Sequence, residues 1–293
     1  MTLAVTNLTA FLASHPAAIV AELAEIRGSS PREAGAFMLI AADATLGTIG
    51  GGALEYMVID RARQALRDGV PSGAMDIPLG PEIGQCCGGR VTVSLCSMSR
   101  ELAVRLQQRL AAEAEGRPHV FVFGAGHVGR ALAAALALLP VQAHVVDTRP
   151  DALEDLPEGV QAMATALPEA VVRKAPQGSS FVILTHDHAL DFLIAAEALK
   201  RPDAPYVGMV GSRSKRGRFA SWYRGEGGSD AAIARLVLPI GGTTFPGGIG
   251  DKRPEVIAAL AAAEILVQIA QEQGAERRRM RGRAMVSEVV HGG

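Results

Sequence analysis

The sequence predicts an α/β protein: an N-terminal α+β domain followed by a domain built on a doubly wound parallel sheet. Two observations support this. The apolar run from Val120 to Phe123 leads into glycines at positions 124, 126 and 129, and an alanine- and leucine-rich stretch follows at 131–139. After residue 118, strand-like runs alternate with helix-like stretches, the order of a parallel sheet covered by helices. The G-x-G-x-x-G spacing between strand and helix therefore predicts a Rossmann-like domain.

The glycine turn also predicts a ligand for this domain. Gly124 permits the tight turn, Gly126 lets a phosphate approach the backbone, and Gly129 lets the helix pack closely on the strand. The amides and the dipole of the helix N-terminus then face an anion. Asp147 ends the next strand, at the position where an acidic side chain binds a ribose hydroxyl. These residues predict dinucleotide binding, and Arg149 leaves the choice between NAD and NADP open.

Hydrophobic periodicity and turn residues predict the remaining elements. The N-terminal part has a short predicted helix before Pro16, strands at 17–27, 37–40, 46–49 and 91–95, and helices at 54–67 and 99–116. In the C-terminal part, further strands are predicted near 142–146, 160–164, 180–185, 205–210 and 236–240, with helices near 127–139, 167–174, 188–199 and 212–224.

A length of 293 residues and a hydrophobic content of 48% allow two domains with well-filled cores. The predicted division is an α+β domain at 1–98, a helical linker at 99–117, the Rossmann-like domain at 118–250, a C-terminal helix at 251–275 and a basic tail at 276–293. The C-terminal helix is apolar around most of its circumference, so we expect it to pack back toward the N-terminal half.

Two loops of the N-terminal part are candidate anion sites. The segment 28–36 combines small residues, a rigid proline, Ser29 and Arg32, so that amides, a hydroxyl and a guanidinium can converge on an anionic or flat group. An ordinary hairpin connection is the alternative. Gly50, Gly51 and Gly52 immediately precede a predicted helix and form a second candidate cradle. A turn that merely requires positive φ angles explains the same run.

The adjacent cysteines Cys86 and Cys87 lie between glycines on a predicted loop, next to Arg90. A thiol exposed near a cation has a lowered pKa and acts as a thiolate, a soft ligand for metals. Two small buried hydrophobic residues are the alternative. Cys96, inside a predicted strand, is expected in the core. The odd total of three cysteines argues against a disulfide framework.

Two polar clusters follow strands of the predicted parallel sheet, at the edge where such sheets bind ligands. In the first, His186 and His188 could bind a metal or move a proton, although helix capping by Asp187 explains much of the cluster. In the second, Ser212 and Arg213 open a basic helix start with the composition of a phosphate clamp. A solvated basic helix face is its alternative.

Charge and hydropathy narrow the possible partners. A formal net charge of -1 provides no field that would recruit nucleic acid or a membrane surface. The N-terminus lacks a basic n-region, and the sequence predicts no membrane span. We therefore expect a soluble cytoplasmic protein, and the apolar surplus favours a homodimer.

Several separated motifs together resemble one family, the XdhC/CoxI accessory proteins, which serve xanthine dehydrogenase and related molybdenum hydroxylases. The matching segments run in the family's order at 28–32, 47–55, 87–89, 123–129, 185–188 and 208–213. The resemblance implies an N-terminal family domain and a C-terminal Rossmann domain. It also implies binding of the molybdenum cofactor (molybdopterin), protection of that cofactor while a cysteine desulfurase supplies its terminal sulfur, and delivery to the molybdenum subunit of apo-xanthine dehydrogenase.

The resemblance makes the cysteine motif a candidate for molybdenum contact, with Cys87 favoured over Cys86. The expected cofactor-binding residues are Ser29, Arg32, Gly50, Gly51, Gly52, Cys86, Cys87, Gly124, Gly126, Gly129, Asp147, Ser212 and Arg213. Such a carrier has no net turnover of its own. Two other functions stay open: an NAD(P)-dependent oxidoreductase in which His186 or His188 moves the proton, and a regulator that only senses a nucleotide.

Overall fold

The computed structural model of the chain describes residues 3–69, 72–84, 88–242 and 250–291. The chain divides into two compact units, Met1–Gly116 and Arg117–Gly293. Each unit has its own sheet and its own apolar clusters, so each is described by itself.

The first unit is built on a five-stranded antiparallel sheet with strand order β3-β2-β1-β5-β4. Its helices are α1 (Val5–Ser14), α2 (Gly52–Asp68) and α3 (Arg100–Glu115), and its strands are β1 (Ile19–Arg27), β2 (Phe37–Ile40), β3 (Thr45–Gly47), β4 (Ser72–Pro78) and β5 (Arg90–Ser97). The predicted strand near 46–49 is thus β3, and β4 was not predicted from the sequence.

Helices cover both faces of this sheet, because strand residues alternate between the two sides. Ile19, Ala21 and Leu23 pack on the face covered by α2, whereas Val20 packs on the opposite face with residues of α1 and α3. All four residues of β2 are buried, as expected for a strand with helices on both sides.

Helix α3 covers the segment for which the sequence predicted a linker, and this prediction is corrected. Leu106 and Leu110 of α3 are buried in the cluster that also contains Val20 and Phe37. The Arg109 guanidinium donates to a Glu22 carboxylate oxygen at 2.8 Å. The helix is therefore an integral layer of the first unit.

The second unit is a doubly wound parallel sheet, with strand order β11-β10-β9-β6-β7-β8. The strands are β6 (His119–Phe123), β7 (Gln142–Asp147), β8 (Gln161–Ala164), β9 (Ser180–Ile183), β10 (Val207–Met209) and β11 (Leu236–Val237), and the helices are α4 (His127–Ala137), α5 (Pro168–Lys174), α6 (His188–Leu199), α7 (Arg213–Gly225), α8 (Asp230–Arg235) and α9 (Pro254–His291). Counted from β6, this is the Rossmann strand order. The strands that follow β6 in the chain are added first on one side of it (β7, β8) and then on the other (β9, β10, β11), so the topological switch point lies between β6 and β9. The predicted fold class is confirmed.

The packing of α9 corrects a second prediction. Ala261, Ile265 and Ile269 are buried in a cluster with Leu132 and Leu136 of α4. The apolar face that we expected to pack toward the N-terminal half thus contributes to the core of its own unit. The backbone of the predicted basic tail is helical as far as His291.

The sequence predicted no membrane span, but Pro254–Ala275 is long and apolar enough to qualify by length and composition. Helices that contribute to a protein core pass the same test. Ala261 and Ile265 of this helix are fully buried against α4, and 33% of its apolar window is buried in the protein.

Candidate functional site

Three loops that the sequence marked as candidate sites converge in the first unit. A Cβ added to Gly50 would lie 2.5 Å from Cγ of Pro31, and a Cβ added to Gly89 would lie 2.0 Å from the carbonyl oxygen of Ser29. Gly50 and Gly89 therefore leave no room for a Cβ, because the loop containing Ser29 and Pro31 packs directly against both of them. The structure thus brings together the 28–32 loop, the glycine run at 50–52 and the segment that follows the cysteines.

The predicted anion cradle at the glycine run is filled by the chain itself. Glu55 Oε1 accepts hydrogen bonds from the amides of Ile49 (2.9 Å), Gly50 (3.2 Å) and Gly51 (2.9 Å), and from the hydroxyl of Thr48. Burial alone would raise the pKa of Glu55, but these four donors together lower it. Two of the three amides predicted to bind a ligand, those of Gly50 and Gly51, thus donate to an internal carboxylate.

The glycine run needs glycine for its backbone conformation as well. The φ angles of Gly50, Gly51 and Gly52 are 138°, 77° and 63°, a region that other residues rarely adopt. The alternative interpretation of this run, a turn that requires positive φ, is therefore correct for its backbone. The carboxylate cap is an additional feature that periodicity did not reveal.

Other polar groups of the converging loops remain available. Ser29 and Arg32 are exposed. The Ser30 hydroxyl oxygen is buried, and among the described residues it has no hydrogen-bond partner. Among the residues that the structure describes, none has an atom within 4 Å of a Cβ added to Gly51 or Gly88. Cys86 and Cys87 lie outside the described residues, and Cys96, expected in the core, is exposed.

In the second unit, the glycine turn has the geometry that the fingerprint requires. A Cβ on Gly124 would lie 2.6 Å from the Leu184 carbonyl oxygen, and one on Gly129 would lie 1.9 Å from the Gly124 carbonyl oxygen. These glycines allow β6, β9 and α4 to pack closely. Gly126 precedes α4 and faces open space, as expected of the glycine that lets a phosphate approach.

Asp147 lies at the end of β7, only 5% exposed, with both oxygens engaged. One accepts from the Ala125 amide at 2.8 Å, and both accept from the Arg149 guanidinium. Burial opposes ionisation, but the bonds from Arg149 and Ala125 outweigh it and lower the pKa of Asp147 to about 2. A ribose hydroxyl would compete with Arg149, whose half-exposed side chain lies where the 2′-phosphate of NADP is bound in this fold.

The cleft at the topological switch point, between the ends of β6 and β9, is nearly closed. The cavity bounded by Gly124, Asp147, Thr185 and His186 has a volume of about 10 Å³, room for roughly one water molecule. Pro168 and Leu190 also line it. A nucleotide would require these side chains to move apart.

The two candidate histidines diverge. His186 lines the cleft cavity, whereas His188 lines a separate cavity between α6 and α7. Asp187 caps α6 by accepting from the Ala189 amide at 2.8 Å. The capping role that the sequence analysis gave as the alternative for Asp187 is therefore present. Among the described residues, no group of three or more histidine, cysteine or acidic side chains could hold a metal ion.

The basic helix start after β10 is largely structural. The Ser212 hydroxyl caps α7 by accepting from the Lys215 amide at 3.3 Å, and Arg216 donates to the Leu236 carbonyl oxygen at 2.6 Å. Ser212 and Arg213 are exposed, so they are the residues of the predicted clamp that a ligand can reach.

Sequence reasoning missed a buried ion pair beside the cleft. Lys215 donates to Asp191, and both side chains are almost completely buried. Asp191 also accepts from the backbone amide of Thr185 at 3.1 Å and from its hydroxyl at 2.7 Å. The pair therefore fixes the end of β9, which carries His186. An acidic residue in the first turn of α6 was the available signal.

Comparison with known proteins agrees with this architecture. A family model described as the XdhC Rossmann domain matches residues 120–265, and one described as the XdhC and CoxI family matches residues 11–77. The chain belongs to the XdhC and CoxI family. The resemblance suggested by the motifs is confirmed, and the two matches lie in the two different units.

Two relatives complete the comparison. The chain is 32% identical over 258 residues to the uncharacterized protein YqeB of Escherichia coli (strain K12); the match covers 84% of this chain and 42% of that protein's length. A crystal structure titled as a xanthine dehydrogenase from Bacillus halodurans superposes with a TM-score of 0.73 at 18% identity, covering 92% of this chain and 96% of that one. At this identity, the structural likeness shows the fold.

Proposed function

We propose that this XdhC-type accessory protein binds the molybdenum cofactor, holds it while a cysteine desulfurase supplies the terminal sulfur, and delivers it to the molybdenum subunit of apo-xanthine dehydrogenase. It acts as a cytoplasmic homodimer and carries cofactor rather than turning over a substrate. The observation that carries the proposal is the convergence of the 28–32, 50–52 and 88–89 loops in a chain of this family.

The residues of these loops fit such a cargo. Molybdopterin combines a phosphate, a flat pterin and a metal held by sulfur. Arg32 is exposed and can bind the phosphate through its guanidinium, and Ser29 lies in the same loop. The buried Ser30 hydroxyl lacks a partner among the described residues, and no described atom lies within 4 Å of a Cβ at Gly51 or Gly88, which favours the approach of a ligand to the backbone there.

When bound, the cofactor supplies molybdenum and its terminal sulfur to the receiving enzyme. In this proposal Cys87 contacts the molybdenum as a thiolate, with Cys86 as its neighbour. Glu55 keeps the glycine run in a fixed conformation, because it already occupies the amides there. Cofactor phosphate therefore goes to Arg32 rather than to the glycine amides.

A second candidate function is nucleotide sensing by the second unit. The strand order, the open space at Gly126 and the position of Asp147 favour it. An NAD(P)-dependent oxidoreductase is a further form of this idea, in which His186, the histidine that lines the cleft cavity, moves the proton rather than His188, which lines a separate cavity.

The test is the molybdenum and pterin content per chain after anaerobic incubation with released cofactor and gel filtration. Wild type should retain both in near-stoichiometric amounts. Cys87→Ala should lose molybdenum, Arg32→Gln should lose pterin and molybdenum together, and Cys86→Ala shows which of the two adjacent thiols the metal depends on. If wild type retains neither while NAD(H) binds tightly, the nucleotide function replaces the carrier function.

Delivery needs a separate measurement. Loaded protein is mixed anaerobically with the molybdenum subunit of apo-xanthine dehydrogenase, and the two are separated by gel filtration. Transfer of molybdenum to the subunit, together with a transient complex, is expected for a carrier. Retention of all molybdenum on the accessory protein would contradict delivery while leaving cofactor binding intact.

A further inference from the structure

The second unit contains a cavity of about 400 Å³ between its sheet and α5. It lies on the sheet face opposite α4 and α9, away from the glycine turn. Its walls are mainly apolar, and two of its groups are basic; the lining includes Phe121, His144, Met163, Leu167, Val171 and Lys174. This volume lies in the range of small-molecule sites.

His144 is held rigidly at this cavity. Its ring is stacked on Phe121, with the ring centroids 4.3 Å apart and the planes 7° from parallel. On its other side, Nε2 lies 2.9 Å from Nδ1 of His119, so one of the two nitrogens donates to the other. The side chain is only 6% exposed. Its orientation is therefore fixed by two neighbours.

The remaining ring nitrogen of His144 is unsatisfied. Nδ1 is buried, and among the described residues it makes no hydrogen bond of normal distance and angle. Leaving a buried polar atom without a partner destabilises a fold, so such atoms are rare and call for an explanation. Gln161, an exposed side chain that lines the same cavity, acts on His144 as a hydrogen-bonding neighbour that partly offsets the lowering of its pKa, so it is the group that a ligand at His144 would displace.

Lys174 supplies the second polar group. It is the last residue of α5, is exposed, and lines the cavity that His144 lines. Between the two basic side chains the walls are apolar, formed by residues such as Met163 and Val171. A ligand that matches this arrangement has a flat apolar body, one polar edge and one negative charge.

We propose that this cavity is a second binding site, independent of the cofactor function, for a small planar aromatic acid. The ring lies among the apolar residues, a hydroxyl or ring N–H pairs with His144 Nδ1, and the carboxylate faces Lys174. Gln161 swings aside to admit the polar edge, which its exposed position allows.

The test uses 4-hydroxybenzoate and benzoate, two probes that differ only in the hydroxyl. Binding is measured by NMR titration of protein with ¹⁵N-labelled histidine, followed at the ring nitrogens of His144. Wild type should bind 4-hydroxybenzoate, with a shift at His144 Nδ1, and should bind benzoate about fivefold more weakly because one hydrogen bond is lost.

Two variants make the result specific. His144→Phe keeps the stacking on Phe121 and removes the nitrogen, so it should bind both probes with equal affinity. Lys174→Met should weaken both probes by the same factor of about five and keep the preference for the hydroxyl. The proposal is overturned if neither probe binds wild type at millimolar concentration, or if binding leaves His144 unshifted. If His144→Phe fails to fold, the wild-type probe pair and Lys174→Met still decide.

Discussion

The backbone amide of Gly51 donates a hydrogen bond of 2.9 Å to the carboxylate of Glu55, four residues further along the chain. The same oxygen accepts from the amides of Ile49 and Gly50. A glycine run before a helix is a ready-made anion site. In this protein the anion is part of the chain, so the run is organised before any ligand arrives, and the neighbouring 28–32 loop packs against a rigid surface.

Glu55→Ala should therefore destabilise the first unit, because it leaves these amides without their common acceptor. We expect the free energy of unfolding to fall by about 1–3 kcal/mol, measured by urea denaturation. Glu55→Gln should have a smaller effect, since its amide oxygen can still accept. Glu33→Ala, an exposed acidic residue of the neighbouring loop, is the control.

The same contact predicts a pH dependence. The donors lower the pKa of Glu55 below 4.5, so the stabilisation is complete above that pH and is lost as the pH falls through the lower folded-state pKa. The difference in stability between wild type and Glu55→Gln should shrink on acidification below pH 4.5. A constant difference would show that the carboxylate charge is irrelevant.

Sequence patterns predicted the fold better than they predicted the site. The glycine spacing and the position of Asp147 depend on local backbone geometry, and the structure reproduces both. Contacts between side chains of the site are long-range: Lys215 reaches Asp191 across 24 positions, and an acidic residue in the first turn of α6 does not by itself identify its partner. For the same reason, the apolar pattern of α9 did not show which helix it packs against.

Two glycines of the same turn should respond differently to alanine. Gly129→Ala places a Cβ 1.9 Å from the Gly124 carbonyl oxygen, so we expect a loss of at least about 2 kcal/mol in stability. Gly126→Ala meets open space at a φ of -74°, so its stability should stay within about 0.5 kcal/mol of wild type. Thermal denaturation of both variants checks this.

Gly126→Ala, which should leave stability nearly unchanged, should nevertheless weaken nucleotide binding. If the second unit senses a nucleotide, the added methyl lies where the phosphate approaches the backbone, and NADH affinity should fall at least about tenfold. Fluorescence titration of wild type and Gly126→Ala measures the change. Equal affinities would place the nucleotide elsewhere.

The buried pair of Lys215 and Asp191 should be worth far more than an exposed pair on the same helix. Lys215→Met leaves the Asp191 carboxylate buried without its counter-ion, which costs about 3–5 kcal/mol. Arg224→Met removes a largely exposed pair with Asp230 and should cost less than about 1 kcal/mol. The double variant Asp191→Leu/Lys215→Met should recover part of the loss, and urea denaturation of wild type, Lys215→Met, Asp191→Leu and the double variant gives the coupling. Additive effects would contradict a direct interaction.

His144 should make the second unit sensitive to mild acid. Burial and the neighbouring His119 lower the pKa of His144 from 6.5 to about 4. Because the folded state binds the proton less well than the unfolded state, the stabilisation is complete above pH 6.5 and is lost as the pH falls toward 4. We expect the free energy of unfolding of wild type to fall by about 1–2 kcal/mol between pH 7 and pH 5 through this group.

The free energy of unfolding of His144→Phe, which keeps the stacking on Phe121, should fall correspondingly less over the same range. Denaturant unfolding at both pH values measures the difference, and parallel losses in the two proteins would show that the ring of His144 is not the group responsible.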